Sequence, residues 1–402
     1  MNYRPFATVE SAPPDPILGL SEAFRKDAKA EKINLTTGVY QDESGTNPVL
    51  RSVKQAERML LELETTKDYL GIGGDESYAR TVQQFVFGPE HPVVTEGRAA
   101  TVHTPGGTGA LRVGGEFLRT QFPQATMWLS DPTWPNHPGV FKSAGLKTAA
   151  YPYYDPATHG LKFDEMMAAL EQVPEGDLVL LHGCCHNPTG VDPTPEQWER
   201  VVELFKRRPI LPFLDFAYQG FGKGLDEDAF AVRAFASAGL EMVVSSSFSK
   251  NFGLYRERVG ALTVVTGDGK EASAVMSRIK QTIRANYSNP PAHGGKVVEL
   301  VLGDKELREL WVKEVVEMRD RIHAMRRLFV ETLKKFGVKR NFDFLLEQNG
   351  MFSFSGIGKE DVRRLREEFG VYMVDSGRIN VASMTRARMD YLCRSIAEVL
   401  QA

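Results

Sequence analysis

The sequence predicts an α/β protein in two parts, and three observations carry that prediction. Between about residues 100 and 265, short apolar runs alternate with stretches of helical periodicity, as in strands joined by crossover helices. From Lys305 to Gly337, Trp311, Val315, Met318, Ile322, Met325, Phe329 and Leu333 recur at steps of four and three, which is one long amphipathic helix suited to joining two domains. The length, 402 residues, is about twice that of a common single domain.

Taken in order, Met1 to Asp15 shows no basic stretch followed by an apolar core, and no later run reaches the ~18 apolar residues that span a bilayer. A soluble, untargeted, cytoplasmic protein is therefore expected. Candidate strands are Met127–Ser130, Leu178–Leu181, Ile210–Leu214, Met242–Ser245 and Ala261–Val265, each bounded by Pro, Gly, Ser or Asp. Functional loops should follow their ends. Thr194-Pro195-Glu196-Gln197 reads as a helix start, with Thr at the N-cap, Pro at N1 and Gln at N3, and that helix should end near Arg208. For the long pattern after Lys305 a coiled coil is the competing reading. Its mixed polar face and its end after about three heptads favour a helix between domains. Beyond it, strands at Met351–Phe354, Val371–Val374 and Ile379–Ala382 around a helix at Glu360–Phe369 suggest a smaller α/β domain.

Charge and cysteine usage exclude several classes. With 49 Lys and Arg against 52 Asp and Glu the net charge is −3, so no global positive field exists to hold nucleic acid or an anionic membrane. Cys184, Cys185 and Cys393, an odd set with an adjacent pair, are not a disulfide framework and fit a reducing compartment.

Chemistry concentrates at the strand ends. Ser245 to Gly253 places Lys250 just after an apolar strand among hydroxyls, with Arg256 and Arg258 following. A lone lysine is ordinarily a solvated one. Ser247, Ser249 and Arg258 change that reading, because they supply the donors and fixed charge that a phosphate dianion needs, and a desolvated lysine beside them can act as an amine nucleophile. Thr104 to Arg112 carries Gly106, Gly107 and Gly109 ahead of a helix whose free N–H groups suit an anion. A dinucleotide fingerprint would need a further small residue at its third packing position, which this segment lacks. His182, Cys184, Cys185 and His186 offer four soft metal ligands within five residues. Adjacent cysteines diverge in an extended segment, so a strand-end turn presenting Asn187 is preferred to zinc and no metal is expected. Asp215 ends an apolar strand, where a buried carboxylate requires a cation or serves as a helix cap. Trp134 and His137 end another, offering an aromatic face and an imidazole.

These segments, together with Asp15 to Gly19, Tyr69-Leu70-Gly71, Arg284 to Gly294, Met351 to Ser355 and Ser376-Gly377-Arg378, resemble the fold-type-I pyridoxal-phosphate enzymes, and among them the aspartate and aromatic amino-acid aminotransferases. The resemblance implies an N-terminal arm at 1–11, a small domain from 12–46 and 318–402, and a large domain at 47–317 built on a mostly parallel seven-stranded sheet. It implies pyridoxal 5'-phosphate on Lys250 as a Schiff base, with Lys250 also carrying the substrate proton. Asp215 would pair with the pyridinium nitrogen, and Asn187 and Tyr218 would bond the phenolic oxygen. Trp134 would stack on the ring, with His137 and His182 behind it as orienting groups. Gly107, Thr108, Ser247, Ser249 and Arg258 would hold the phosphate, joined by Tyr69 from the neighbouring subunit of a homodimer with shared active sites. Arg378 would clamp the α-carboxylate of an amino acid or 2-oxo acid, with Gly38, Asn187 and Trp134 nearby, and Arg284 would reach a distal carboxylate across the interface. Val39, Thr108 and Asn289 look like the aspartate branch, whereas Gln41, Asn47 and Asp68 match neither branch. Aspartate or glutamate is the expected donor, and an aromatic or dual preference is the alternative. A lyase or decarboxylase would share the cofactor residues but gains little from two carboxylate clamps. A cofactor-sensing regulator would need an added DNA-binding module.

Overall fold

In the computed structural model, which describes residues 4–13, 15 and 17–401, seven strands form one sheet. They are β1 (Ala99–Pro105), β2 (Thr126–Asp131), β3 (Lys147–Pro152), β4 (Leu178–His182), β5 (Leu211–Phe216), β6 (Met242–Ser247) and β7 (Val259–Val265). The order across the sheet is β1-β7-β6-β5-β4-β2-β3, and only β7 runs against its neighbours. All five strands expected from the sequence are present and each is lengthened by one or more residues, except that β5 starts one residue later, at Leu211. β1 and β3 were not anticipated, for two different reasons. β1 buries Thr101, His103 and Thr104 in place of an apolar run, whereas β3 is an edge strand whose residues are mostly half-exposed.

The register aligns the chemistry. His182 pairs with Asp215 and Asp215 with Ser245, so the carboxyl ends of β4, β5 and β6 lie at one edge. β1 ends at the same edge with Pro105 opposite Val259, because β7 turns the chain back there. Every loop expected to carry chemistry leaves from this edge.

Outside the sheet, the Lys305–Lys335 helix is a single element that buries Trp311, Val315, Met318, Ile322, Met325, Phe329 and Leu333, the stripe read from the sequence. Its Glu314 is also buried and accepts from the Arg51 and Ser52 amides at 2.6 and 3.1 Å, capping the Arg51–Leu63 helix from across the core. The Pro195–Arg207 helix has the expected capping box between Thr194 and Gln197. The C-terminal strands are shorter than expected. Phe352–Phe354 pairs with Arg378–Asn380, and Val371–Tyr372 pairs in parallel with Ile33–Asn34. Val381 and Ala382, expected to continue a strand, lie instead in a 3₁₀ turn, Val381–Ser383, because the Asn380 side chain accepts from the Ala382 N–H at 3.0 Å.

Candidate functional site

A cavity of about 430 Å³ opens at the carboxyl edge of the sheet, and its walls include Gly38, Gly107, Thr108, Trp134, Asn187, Asp215, Tyr218, Ser247, Ser249, Lys250, Arg258 and Arg378. Twelve residues expected from the sequence and its family resemblance thus meet in one place. A larger cavity of 630 Å³ lies at the opposite edge, near Phe117, Met242, Val265 and Val275, but its walls are largely apolar and bring no nucleophile. Volume alone does not locate the chemistry.

Lys250 sits in the turn after β6, part-exposed to the cavity, with Nζ 4.7 Å from the centre of the Tyr218 ring. Burial lowers its pKa to about 8; the Arg258 charge pushes the same way and Asp215 opposes it. A useful fraction of neutral amine is therefore present near neutral pH, which a nucleophile or a proton acceptor requires.

Asp215 projects from β5, and its Oδ2 lies 3.0 Å from His137 Nε2. Burial, the largest influence, opposes its ionisation, but the hydrogen bond from His137, aided by the Lys250 charge, outweighs it and leaves the pKa below the usual carboxylate value. The direction of that hydrogen bond follows from a backbone group. The Asn187 N–H donates to His182 Nδ1 at 3.3 Å, so His182 Nε2–H donates to Thr133 Oγ1 at 3.2 Å. Thr133 then donates to His137 Nδ1 at 2.7 Å, which leaves His137 Nε2 as donor to Asp215. His182 itself stays neutral, its pKa lowered to about 3 by burial and by His137. The two histidines thus act through hydrogen bonds on Asp215.

Asn187 and Arg378 build the opposite wall. The Asn187 amide donates to Tyr218 Oη at 3.3 Å, and its Oδ1 accepts from Arg378 Nη1 at 3.4 Å. Arg378 is buried, with Nη2 donating to the Thr36 carbonyl at 2.5 Å and its guanidinium 4.3 Å from the Phe352 ring centre. Burial lowers its pKa to about 10, so it remains a cation, and its Nε has no protein partner. A buried guanidinium without a carboxylate partner suits an incoming one.

At the other end of the cavity, the helix Gly106–Gln121 begins with Gly106 at φ +72°. A Cβ at Gly106 would stand 2.5 Å from Arg258 Nη2, and one at Gly107 would stand 3.1 Å from Ser247 Cβ. Glycine keeps this space open between a helix N-terminus, two serine hydroxyls and an arginine, which is the donor set of a phosphate site. The residues present therefore fit pyridoxal phosphate: a cationic cradle at one end, a carboxylate on β5, and an amine of lowered pKa between them.

Two expected residues are not among the cavity's walls. Tyr69 is 91% exposed, and Arg284 is exposed at the end of the Gly269–Asn286 helix, bonded to Ser288 Oγ. Ile17, Leu18, Tyr255 and Phe352 were missed, although they line the cavity. Tyr255 sits five residues after Lys250 and accepts from the Tyr40 N–H at 2.8 Å, a contact across 215 residues with no local signal. The expected divergence of Cys184 and Cys185 is overturned. Cys185 adopts φ +51°, and the two Sγ atoms and an Asp228 carboxylate oxygen lie within 4.8 Å of one another. That carboxylate already accepts from the N–H groups of Gly220, Gly222 and Lys223.

Comparison with known proteins agrees with this geometry. The family model described as aminotransferase class I and II matches residues 30–396. The aspartate aminotransferase of Escherichia coli (strain K12) is 54% identical over 395 residues, covering 98% of this chain and 100% of that one. The aromatic-amino-acid aminotransferase of the same organism is 47% identical over 396 residues, with 98% and 100% covered. Among solved structures, the aromatic-amino-acid aminotransferase from Burkholderia pseudomallei, covalently bound to pyridoxal phosphate, superposes with a TM-score of 0.96 at 51% identity, covering 99% of this chain and 100% of that one.

Proposed function

The chain belongs to the class I and II aminotransferases, and from that premise we propose that it moves the amino group of L-aspartate or L-glutamate to 2-oxoglutarate or oxaloacetate in two half-reactions at one site. It is a pyridoxal-phosphate-dependent transaminase. When bound, the cofactor supplies an aldehyde to receive the amino group and an electron-withdrawing ring to accept the charge left by a departing Cα proton.

The chain's own residues prepare that chemistry. Lys250 Nζ anchors the cofactor and, once freed, takes the substrate Cα proton, for which its pKa of about 8 keeps it competent near neutrality. Asp215, ionised and held by His137, places a fixed negative charge against the ring nitrogen. Tyr218 and Asn187 present a hydroxyl and an amide to the phenolic oxygen. Gly107, Thr108, Ser247, Ser249 and Arg258 receive the phosphate, and Trp134 covers the ring face. Arg378 takes the α-carboxylate in two parallel N–H bonds, which orients the Cα–H bond. Gly38 leaves room beside it, since a Cβ there would come within 2.8 Å of the Phe352 ring.

The single observation that carries this reading is the convergence of Lys250, Asp215 and Arg378 on one cavity. We assign the dicarboxylate preference to Arg284, reaching a neighbouring copy's site with Tyr69 in a homodimer. The exposure of both side chains away from their own cavity supports that arrangement. An N-terminal arm at 1–11, a small domain from 12–46 and 318–402 and a large domain at 47–317 fit a helix that spans Lys305–Lys335 without a break. Three free, buried thiols fit a cytoplasmic setting, and among the described residues no helix is long and apolar enough to cross a membrane. The 51% identity to an aromatic-amino-acid enzyme supports a second reading, in which phenylalanine or tyrosine is also a donor.

Lys250→Ala tests the core of the proposal. The variant should bind pyridoxal phosphate without a covalent bond and lose nearly all turnover of aspartate with 2-oxoglutarate. Wild-type transamination by Lys250→Ala would remove Lys250 from its role.

A further inference from the structure

The helix Leu18–Lys26 carries Leu18 into the cavity wall beside Ile17, yet its only fully buried side chain is Ser21. A serine offers no apolar area with which to dock a helix. The far end has other anchors: Phe24 lies edge-on to Tyr372 at 5.4 Å, and Tyr372 Oη donates to Asp27 at 2.9 Å. At the end that faces the cavity, the link from the helix to the segment beneath it is a set of hydrogen bonds. Ser21 Oγ lies 2.7 Å from Thr37 Oγ1 and 3.2 Å from Thr36 Oγ1. Thr36 Oγ1 donates to Asn34 Oδ1 at 2.6 Å, and Asn34 Nδ2 donates to Thr37 Oγ1 at 3.5 Å.

These contacts close on themselves in one consistent direction. Asn34 donates to Thr37, Thr37 to Ser21, Ser21 to Thr36, and Thr36 back to Asn34, whose Oδ1 also accepts from the Thr36 N–H at 3.0 Å; Ser21 Oγ stands 3.4 Å from the Ile17 carbonyl as well, which ties it to the first turn of the helix. Such a ring is cooperative, and removing one hydroxyl leaves a neighbour unsatisfied. The backbone beneath the ring holds the carboxylate clamp. The Thr36 carbonyl accepts from Arg378 Nη2 at 2.5 Å, while Asn380, two residues along the same strand, donates to the Thr37 and Val39 carbonyls at 2.6 and 2.9 Å.

We propose that Ser21, Asn34, Thr36 and Thr37 form a positioning ring for substrate binding, aiming Arg378 at the α-carboxylate and fixing Ile17 and Leu18 over the bound molecule. The inference rests on the reading of Arg378 given above. The four residues act through the Thr36 carbonyl and the helix; none of their side chains is required to touch substrate.

The test uses the holoenzyme and five variants, Ser21→Ala, Thr37→Val, Thr37→Ser, Arg378→Ala and the double variant Arg378→Ala/Thr37→Val. Thr37→Val and Ser21→Ala should each raise KM for both aspartate and 2-oxoglutarate by about tenfold, the effect of one broken part-buried hydrogen bond, with a much smaller change in kcat. Cofactor absorbance should be unchanged. Thr37→Ser keeps the hydroxyl and should restore KM to near the wild-type value. In the Arg378→Ala background, adding Thr37→Val should raise KM no further, because the ring then has no guanidinium to aim. Equal damage from Thr37→Ser and Thr37→Val would overturn the proposal, since shape rather than the hydroxyl would be responsible; so would an unchanged KM in both Ser21→Ala and Thr37→Val. Should Arg378→Ala alone leave KM unaltered, the clamp assignment fails first, and that outcome is distinct from failure of the ring.

Discussion

The lowered pKa of Lys250 can be tested in the protein freed of cofactor, where the amine is unmodified. Burial lowers the Nζ pKa from its usual 10.5 to about 8. At pH 7 about one amine in ten is then neutral, against about one in 3,000 for an unperturbed lysine, a gain of roughly 300-fold in the reactive form. Labelling the apoenzyme with an amine-directed reagent, and quantifying the Lys250 peptide by mass spectrometry across pH, should give half-maximal reactivity near pH 8. Exposed lysines in the same sample serve as the reference. The neighbours give the sign of two further shifts. Asp215 raises the Lys250 pKa and Arg258 lowers it, so Asp215→Asn should move the midpoint down and Arg258→Gln should move it up. Stability follows the same displacement. Because the folded value lies below the unfolded one, the unfolded chain binds more protons between about pH 8 and 10.5, and the contribution of Lys250 to apoenzyme stability rises across that window. A labelling midpoint above pH 10, in an apoenzyme that still regains full activity with pyridoxal phosphate, would refute the desolvation argument.

Arg284→Leu should lower kcat/KM for aspartate by about two to four orders of magnitude, the loss of a desolvated charge-assisted contact, while phenylalanine loses much less or gains. Parallel losses for the two substrates would show that Arg284 does not read the distal carboxylate. Heterodimers of Lys250→Ala with Arg284→Ala should recover part of the aspartate activity, whereas Lys250→Ala with Arg378→Ala should not, since only the first pair draws complementary residues from both chains; equal recovery at matched heterodimer levels would count against shared sites. Glu314→Ala removes a buried acceptor of the Arg51 and Ser52 amides and should cost about 2–3 kcal/mol in urea unfolding of the holoenzyme. Thr194→Ala removes the capping-box hydroxyl and should cost about 1 kcal/mol by the same measurement, with kcat unchanged.

Legibility in the sequence followed the range of the forces involved. The Lys305–Lys335 helix and the five central strands were readable because apolar periodicity and turn residues are local signals, repeated over many positions. β1 was hidden by its own chemistry. Thr101 pairs with the Thr263 hydroxyl at 2.9 Å, so a polar residue there is a satisfied core residue and breaks the apolar pattern without breaking the strand. The residues that line the candidate site were legible for a related reason. Lys250, Asp215, Asn187 and Trp134 each follow or end a strand, and the register of the sheet makes such positions neighbours. Tyr255 and Ser21 carry no comparable signal, because their partners, Tyr40 and Thr37, stand 215 and 16 residues away on loops without periodicity.

Tyr69 and Arg284 mark a different boundary. Within one chain each looks like an ordinary exposed side chain, and their burial, charge balance and hydrogen bonding give no reason to select them. On the proposed assignment the cavity's own walls account for a phosphate, a ring and one carboxylate, and the residues that line it offer no guanidinium beyond Arg258 and Arg378. With Arg258 given to the phosphate and Arg378 to the α-carboxylate, as proposed, a dicarboxylate substrate would bury its distal charge unpaired unless a cation arrived from elsewhere. The deficit is in charge rather than in space. A neighbouring copy that presents an arginine on an exposed helix end would fill it, and in the proposed homodimer the same contact would tie specificity to assembly: an enzyme dissociated into single chains should then lose discrimination for the distal carboxylate together with any Tyr69 contribution to the neighbouring phosphate site. Measuring the ratio of aspartate to phenylalanine kcat/KM across a dilution series that passes through the dimer dissociation constant would expose that link, and a ratio that stays constant while the dimer fraction falls would place the distal-carboxylate cation within the single chain.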